Sequence, residues 1–378
     1  MCIRGRVLDE IGGLAAEYGA RVVVVDSVTP ILKAVRDNVR SRSVLQEFFA
    51  TLPMILNGIV VLLAEIPIIE ENIELGDIEF VADTILLLTH RVEKNRLVRE
   101  IQVRKARGSP LTIARVPFTI TERGLRVWTP PSLETIPPLT KSRKYKLPCE
   151  ILRKNVGQLL GGMSVYISYP VDARPYHIMP ILLGISLLNN ARTLVITYTY
   201  SRSQIVGLLL EAIEKWDPSS KEVTSRIRSH LEKLFVIKAF NPSAYSIEEL
   251  YSQELNLISS LKPNITIFFG TDTLVKNGVG DFVDLLRNQT FFLKSMGILV
   301  FRLGSNLSKS VYEVNTQLSD IVVRLAYNKN ASFELNPEIT MYVWVSGNDP
   351  FIINQGQLNK CRIETLTEIK KKFKKEGS

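Results

Sequence analysis

The chain has 378 residues, of which 46% are hydrophobic and 22% are charged, so it is a globular protein of about two domains rather than a disordered one. Its three cysteines (Cys2, Cys149 and Cys361) and three histidines are too scattered to predict a disulfide framework, a zinc ribbon or a histidine metal site. The net charge of +9 permits a polyanionic partner but does not require one.

Nothing at the start of the sequence, MCIRGRVLDEIGG, has the apolar core of a signal peptide, so we expect a cytoplasmic location. The longest apolar stretch, residues 52–69, is interrupted by Asn57, Gly58, Glu65 and Pro67. Because a charged residue inside a membrane span is costly, this stretch predicts a helix end and a buried strand, and no membrane association.

The first third of the chain alternates helical and strand patterns. In chain order, the patterns predict helices at 8–18 and 37–56, buried strands at 21–27, 58–65 and 81–90, a half-exposed strand at 99–107, and a hairpin at 117–128 whose turn is ERG. Strands that alternate with helices indicate a largely parallel sheet covered by helices, which is the α/β class.

A proline-rich and basic stretch at 129–148 predicts a linker, and a second α/β pattern begins near Cys149. It predicts strands at 163–169, 192–200, 264–270, 297–304, 318–327 and 339–347, and helices at 181–191 and 203–216. We therefore divide the chain into a first domain (1–128), the linker (129–148), a second domain (149–358) and a basic tail (359–378).

Three strands of the first domain match three strands of the second, in the same order. The pairs are RVVVVDS with NITIFFGT, GIVVLLAE with GILVFRLG, and VADTILLL with LSDIVVRL. About 120 residues separate Cys149 from Gly270, whereas only 25 precede the matching Asp26. The sequence therefore predicts one domain type twice, with roughly a hundred residues and several strands missing from the first copy.

Asp26 and Ser27 end a hydrophobic strand, which places a carboxylate at the carboxyl edge of a parallel sheet, where ligands bind. In P-loop NTPases an aspartate in this position orients Mg²⁺, although an aspartate at a strand end or turn is common and is the simpler explanation. Lys105 and Arg107 lie two apart on a predicted strand and so share a face. Such a pair suits a phosphate group, or else a solvated edge strand.

The 378 residues contain no GxxxxGK[ST] phosphate loop. Nevertheless, YGARVVVVDSVTPIL (18–32) and the block at 80–128, which pairs EFVAD with K-x-RGS and PFTIT, resemble the KaiC branch of the RecA superfamily of archaeal and bacterial ATPases. The resemblance extends weakly over 150–350. It implies two RecA-like domains, of which the first is incomplete.

The resemblance also implies roles for individual residues. Asp26 matches the Walker B aspartate that holds Mg²⁺ through water, Ser27 its small polar neighbour, and Glu65 an acid near the nucleotide. Lys105 and Arg107 match a pair that relatives extend into a neighbouring subunit's ATP site, where it neutralises the γ-phosphate in trans. ATP and Mg²⁺ would therefore be bound at a shared interface in a homo-oligomer or with a KaiC-like partner.

Both copies depart from the family pattern. The first lacks the phosphate loop and the catalytic glutamates. In the second, the changed positions are the loop YPVDARPYH (169–177), Thr199 and Tyr200 in place of the glutamates, Phe269 or Gly270 in place of the Walker B aspartate, and Trp344 and Ser346 in place of the lysine and arginine. This pattern predicts a pseudo-ATPase domain.

Three functions follow as hypotheses. The chain is a fragment or split form of a KaiC-like ATPase, a non-catalytic assembly or regulatory partner of an active relative, or a DNA-binding recombination accessory. The last rests on seven lysines and arginines against two acids at residues 91–107, without an obvious aromatic groove.

Overall fold

The structure is a computed structural model. It describes residues 3–35, 39–65, 78–93, 95–110, 115–122, 124–171, 175–214, 221–274, 279–306, 308–327 and 338–375. The chain forms two compact units. The first comprises residues 1–88 and 102–115, and the second comprises residues 89–101 and 116–378.

The first unit begins with alternating helices and strands, as the sequence patterns predict. Its elements are α1 (Ile3–Glu17), β1 (Val22–Asp26), α2 (Thr29–Val35), α3 (Val39–Leu56), β2 (Ile59–Leu63) and α4 (Ile78–Val81), and the chain continues through β3 (Thr84–Glu93) and β4 (Arg96–Ala106), which have residues in both units.

Strands β1 and β2 form a two-stranded parallel sheet in which Val22 lies opposite Ile59 and Asp26 lies opposite Leu63. Among the described residues of this unit, helices cover one face of the sheet. Helices α1 and α3 pack on that face through Leu8, Leu45 and Phe49, against alternate strand residues that include Val25, Val60 and Leu62. Burial of these side chains is what holds the sheet against its helices.

The rest of the chain has many more elements. They are β5 (Arg115–Thr121), β6 (Gly124–Val127), β7 (Lys144–Tyr145), α5 (Glu150–Asn155), β8 (Leu159–Leu160), β9 (Ser164–Tyr169), α6 (Met179–Leu188), β10 (Thr193–Thr197), α7 (Arg202–Glu214), α8 (Lys221–Leu234), β11 (Phe235–Ala239), α9 (Ile247–Leu261), β12 (Ile265–Phe269), α10 (Val279–Ser295), β13 (Leu299–Ser305), α11 (Lys309–Gln317), β14 (Ile321–Tyr327), β15 (Ile339–Val345), β16 (Phe351–Ile353) and α12 (Gln355–Lys375).

The second unit is built on an eight-stranded sheet of order β11-β10-β12-β13-β9-β14-β15-β16. The first six strands in this order are parallel, β15 pairs antiparallel with β14, and β16 pairs antiparallel with β15. Strand β9, the first of them in chain order, therefore lies between β13 and β14. Strands β3 to β6 form a four-stranded sheet, and β7 pairs with β8.

Helices cover both faces of the eight-stranded sheet. On one face, α6, α7 and α12 pack over residues such as Ile267 and Phe301. On the other face, α9 and α10 pack over Phe268 and Val300. The fold is therefore mixed α/β with a mostly parallel sheet, which confirms the predicted class. The strands predicted at 163–169, 192–200 and 264–270 are present within a few residues.

The predicted basic tail at 359–378 is wrong for the residues that the structure describes. Helix α12 extends to Lys375, and Leu366, Ile369 and Phe373 are buried. These side chains recur at helical spacing, but the surrounding lysines gave the segment the appearance of a solvated tail. The predicted linker at 129–148 also ends in packed structure, because Tyr145 is buried and its hydroxyl donates to the Asn264 carbonyl at 2.8 Å.

The expectation that the cysteines form no disulfide is also wrong, because Cys149 and Cys361 are bonded to each other. Both are fully buried. They are 212 residues apart in sequence, and the fold brings the start of α5 beside α12. Neither residue has a sequence neighbour that would have indicated the pairing.

The same backbone features recur in the two units. The Ile59 amide donates to the Arg21 carbonyl at 2.8 Å, and the Leu299 amide donates to the Asn264 carbonyl at 3.1 Å. Farther along, the Arg107 amide donates to the Asp83 carbonyl, as the Ser346 amide does to Asp320. Left-handed residues precede the strands in both units: Gly19 and Asn57 in the first, and Lys262 and Gly297 in the second.

None of the helices in the described parts of the chain combines the length and the apolar character needed to cross a membrane.

Candidate functional site

Asp26 is the last residue of β1 and is exposed to solvent. Along β1 the side chains alternate, so Asp26 lies on the same face as Val22 and Val24, opposite the face that α1 and α3 cover. The peptide bond between Asp26 and Ser27 is cis. The predicted carboxylate therefore lies at the carboxyl edge of a parallel pair of strands, where it is accessible to a ligand.

The loops after β1 and β2 are tied together. The Val28 amide donates to the Leu63 carbonyl at 2.8 Å, and the Glu65 amide donates to the Thr29 hydroxyl at 2.8 Å. Glu65 is exposed and follows β2 by two residues. These bonds hold the segments that contain Asp26, Ser27 and Glu65 at one edge of the sheet.

Lys105 and Arg107 both donate hydrogen bonds to the backbone carbonyl of Phe80. Two side chains on one face of a strand can reach such a common acceptor. The Lys105 ammonium donates to the carbonyls of Glu79, at 2.6 Å, and Phe80, at 3.2 Å. The Arg107 guanidinium donates to the Phe80 carbonyl at 2.5 Å and pairs with Asp83 at 3.4 Å. In this arrangement both cations contact the segment around α4, within their own unit.

The oxygen donors at this edge suit Mg²⁺ but complete no site by themselves. Mg²⁺ is usually held by one or two carboxylates together with waters and substrate phosphates, and Asp26 and Ser27 provide such oxygens. Among the described residues, no three histidine, cysteine or acidic side chains cluster closely enough to form a protein-only metal site. A metal here would therefore depend on a nucleotide for its remaining ligands.

The corresponding edge of the second unit is apolar. Phe269 ends β12 as Asp26 ends β1, and its partner Leu303 corresponds to Leu63. The Phe269 ring packs edge-on against Tyr200, with ring centroids 5.3 Å apart. Aromatic contact thus replaces two of the positions where the resemblance would place carboxylates. One acid remains nearby, Asp272, which accepts a hydrogen bond from Ser305 at 2.5 Å.

Gly270, the other position considered for the Walker B aspartate, cannot carry a side chain. Its φ is +81°, and a Cβ there would lie 1.8 Å from the Thr199 hydroxyl oxygen. Of the remaining changed positions, Trp344 is on β15 and stacks on Tyr342, and Ser346 follows that strand. The loop at 169–177 lies partly outside the described residues, and its described part contains no glycine.

A comparison with protein families agrees with this geometry. The family model of the KaiC ATPase matches residues 5–132, roughly a third of the chain, and the matched segment contains Asp26, Glu65, Lys105 and Arg107. Residues 5–132 are therefore similar to the KaiC ATPases of the RecA superfamily. The KaiC family binds ATP and Mg²⁺ and typically forms oligomers. No curated protein matches the chain.

Outside the KaiC segment, the second unit holds a buried polar cluster that the sequence did not reveal. The Glu254 carboxylate accepts hydrogen bonds from the Tyr198 hydroxyl at 2.5 Å and from the Gln289 amide at 2.6 Å. Gln289 in turn accepts a bond from Arg302 at 3.0 Å. The cluster borders a cavity of about 30 Å³, enough for a water molecule or two.

Burial shifts the charge equilibria in this cluster. Removal from water raises the pKa of Glu254 to about 7, against the opposing effects of its hydrogen bonds and of Arg302. The same loss of hydration lowers the pKa of Arg302 to about 10. Glu254 lies on an amphipathic helix, where an acid normally faces solvent, so its burial could not be read from the sequence.

Proposed function

We propose that this chain is a KaiC-like ATPase component that supplies part of an ATP site, as a fragment or split form without its own phosphate loop. One combination of observations carries the proposal. The KaiC match includes Asp26 and the Lys105–Arg107 pair, whereas the 378 residues contain no GxxxxGK[ST] sequence. The phosphate-binding part of the site then lies outside these 378 residues.

Each residue has a role in this proposal. Asp26 orients Mg²⁺ through water, with Ser27 beside it, and Glu65 lies near the nucleotide from the end of β2. Lys105 and Arg107 leave the Phe80 carbonyl to neutralise γ-phosphate charge across a subunit boundary, as an arginine finger does. Such a pair has a purpose only in an assembly, so we propose a homo-oligomer or a complex with a KaiC-like subunit, located in the cytoplasm.

We further propose that the two units descend from one RecA-like domain type. The recurring backbone hydrogen bonds and left-handed residues support this. So does the strand order of the second unit, in which β12 and β13 pair in parallel as β1 and β2 do. The proposed boundaries are 1–128 for the incomplete copy and 149–358 for the second, which is a pseudo-ATPase.

Complementation of ATP turnover tests the function. The chain is mixed with the amino-terminal part of a KaiC ATPase domain, from its first strand through its phosphate loop and catalytic glutamates. We expect no turnover above background by either part alone and measurable turnover by the mixture. Asp26→Asn should reduce the mixture's rate about a hundredfold or more, because it weakens the orientation of Mg²⁺.

Asp9→Asn is the matched control, since it removes one exposed carboxylate from α1 in the same unit. It should leave turnover unchanged. Turnover by the chain alone that Asp26→Asn abolishes would contradict the split-site proposal. A mixture whose rate does not respond to Asp26→Asn would contradict the role given to that residue.

The packing of Phe269 on Tyr200 favours a second candidate, a non-catalytic regulatory partner that lends Lys105 and Arg107 to an active relative. Titration calorimetry with ATP and Mg²⁺ separates the two. Tight binding by the isolated chain excludes the regulatory role. DNA binding is less well supported, because Arg91 and Arg99 of the basic stretch pair with Glu100 and Glu249.

A further inference from the structure

One face of the β1–β2 sheet is apolar and exposed. Val22 and Val24 on β1 are 59% and 56% exposed, and Ile59, Val61 and Leu63 on β2 are between 39% and 62% exposed. These residues alternate with the covered ones, so all five side chains lie on a single face. A contiguous apolar surface of this kind usually marks an interaction site.

The second unit shows the same positions covered. By strand register, Val22 and Val24 correspond to Ile265 and Ile267, and the exposed residues of β2 correspond to residues of β13. The set Ile265, Ile267, Leu299, Phe301 and Leu303 is at most 4% exposed. The matching residues of the two sheets therefore differ in whether this face is covered.

In the second unit, helices cover this face of the sheet. Helices α6 and α7, which follow β9 and β10, pack on the face through residues such as Ile181, Ile185 and Ile205. In the first unit the opposite face is covered by α1 and α3, as α9 and α10 cover theirs. Among the described residues of the first unit, no equivalent of α6 or of β9 packs on the sheet.

The edge of β2 shows where a strand would pair. The Ile59 amide donates to β1, so by strand alternation the Val60 and Leu62 amides point away from β1. At the corresponding position of the second unit, the Val300 amide donates to the Met163 carbonyl at 2.9 Å, next to β9. Strand β2 has no strand on this edge among the described residues.

We propose that this face and edge bind a partner polypeptide that presents an apolar strand, a loop and an apolar helix. The strand would add in parallel to β2, and the helix would cover the exposed valines, leucine and isoleucine. A second copy of this chain is a poor donor, because its own β9 is held between β13 and β14. Asp26 lies at the end of this face, so the bound loop would reach it.

This inference rests on the proposed function, because it says where a phosphate-binding strand, loop and helix would join the β1–β2 sheet. Its test needs no nucleotide. The probe is a dye-labelled peptide of residues 163–188, the strand, loop and helix of the second unit, carrying a lysine tail for solubility. Its binding to the full chain is followed by fluorescence anisotropy. A peptide of the same composition in scrambled order is the control.

We expect saturable binding of the ordered peptide and none of the scrambled one. The double variant Val24→Lys and Val61→Lys should weaken binding by about tenfold or more, because it places charges in the apolar interface. The control variant Val171→Lys and Leu133→Lys changes two exposed apolar residues of the second unit and should bind as the unmodified chain does.

Absence of saturable binding, or equal binding to the Val24→Lys and Val61→Lys variant, would overturn the inference. Concentration-dependent dimerisation in sedimentation that this variant abolishes would also overturn it, because the face would then bind a second copy. Failure here leaves the Asp26-dependent turnover experiment unaffected, so the two proposals fail separately.

Discussion

Glu254 on α9 is a buried acid, and its ionisation in the folded chain is unfavourable. It is 3% exposed and is held by Tyr198 and Gln289 rather than by direct contact with Arg302. A carboxylate in this setting loses hydration that two neutral hydrogen bonds replace only in part. Its raised pKa means that the ionised form is less favourable in the folded chain than in water.

The Glu254 carboxyl makes the stability of the folded chain fall as the pH rises. The pKa of Glu254 rises from an ordinary 4.5 to about 7 on folding, so the folded state binds the proton more tightly. Stability from this group is full below pH 4.5 and falls as the pH rises toward 7, by no more than about 3 kcal/mol. We expect Glu254→Gln to remove this loss, because an amide does not titrate in this range and its oxygen can still accept the hydrogen bond from Tyr198.

Urea unfolding at pH 5 and pH 8 measures the effect. The unmodified chain should lose more stability between these values than the Glu254→Gln variant does. Glu211→Gln on α7, where the side chain is exposed, should behave like the unmodified chain. Identical pH dependence in the Glu254→Gln variant would show that the carboxylate is already ionised at no cost.

For single residues, the sequence predicts the positions of some candidate site residues but not the contacts that they make. Asp26 could be placed because a β-branched run followed by an acid predicts a strand end. Lys105 and Arg107 could be placed on one face because side chains alternate along a strand. Their contact with the Phe80 carbonyl could not be predicted, since it depends on how a four-residue helix meets β4.

Among the elements, α12 differs most from what the sequence predicts for the second unit, because it is a packed helix where a basic tail is predicted. It packs against α6, where Gly184 allows close approach because a Cβ there would lie 2.5 Å from Thr365. The Lys372 ammonium also donates to the Leu187 carbonyl at 2.6 Å. The segment is thus a structural part of the domain, and the disulfide joins it to the chain before α5.

The Cys149–Cys361 bond should contribute substantially to stability. It closes a loop of more than 200 residues, for which chain entropy gives an upper value of about 5 kcal/mol. Replacement of both cysteines by alanine should lower the urea midpoint of the oxidised protein. Reductant should lower the midpoint of the unmodified chain similarly and leave that of the variant unchanged.

A midpoint that neither reductant nor the double substitution changes would show that the bond does not form in solution. Long-range pairings of this type are hidden in the sequence because each cysteine has only local neighbours there. Strands were easier to predict, since β1, β2 and β9 are short apolar runs whose composition is itself the signal. Strands β11 and β16 were not predicted, because β11 follows α8 without a break and β16 has only three residues.

At the scale of the whole molecule, the main feature is the difference in size and cover between the β1–β2 sheet and the eight-stranded sheet. The repeat with strands missing from its first copy stays a prediction, which rests on the order and spacing of apolar strands in the sequence. The sequence could not predict which face was left open, since that depends on which helices pack on the strands. The register of β1 with β2, compared with β12 and β13, supplied this information.

Hydrogen exchange of the isolated chain tests this asymmetry most directly. In the part of the chain that the structure describes, no strand lies beside the edge that the Val60 and Leu62 amides face, whereas the Val300 and Arg302 amides face β9. We expect the Val60 and Leu62 amides of β2 to exchange about a hundredfold or more faster than the Val300 and Arg302 amides of β13. Equal, strong protection in both strands would contradict this expectation, because β2 would then already have a partner on that edge.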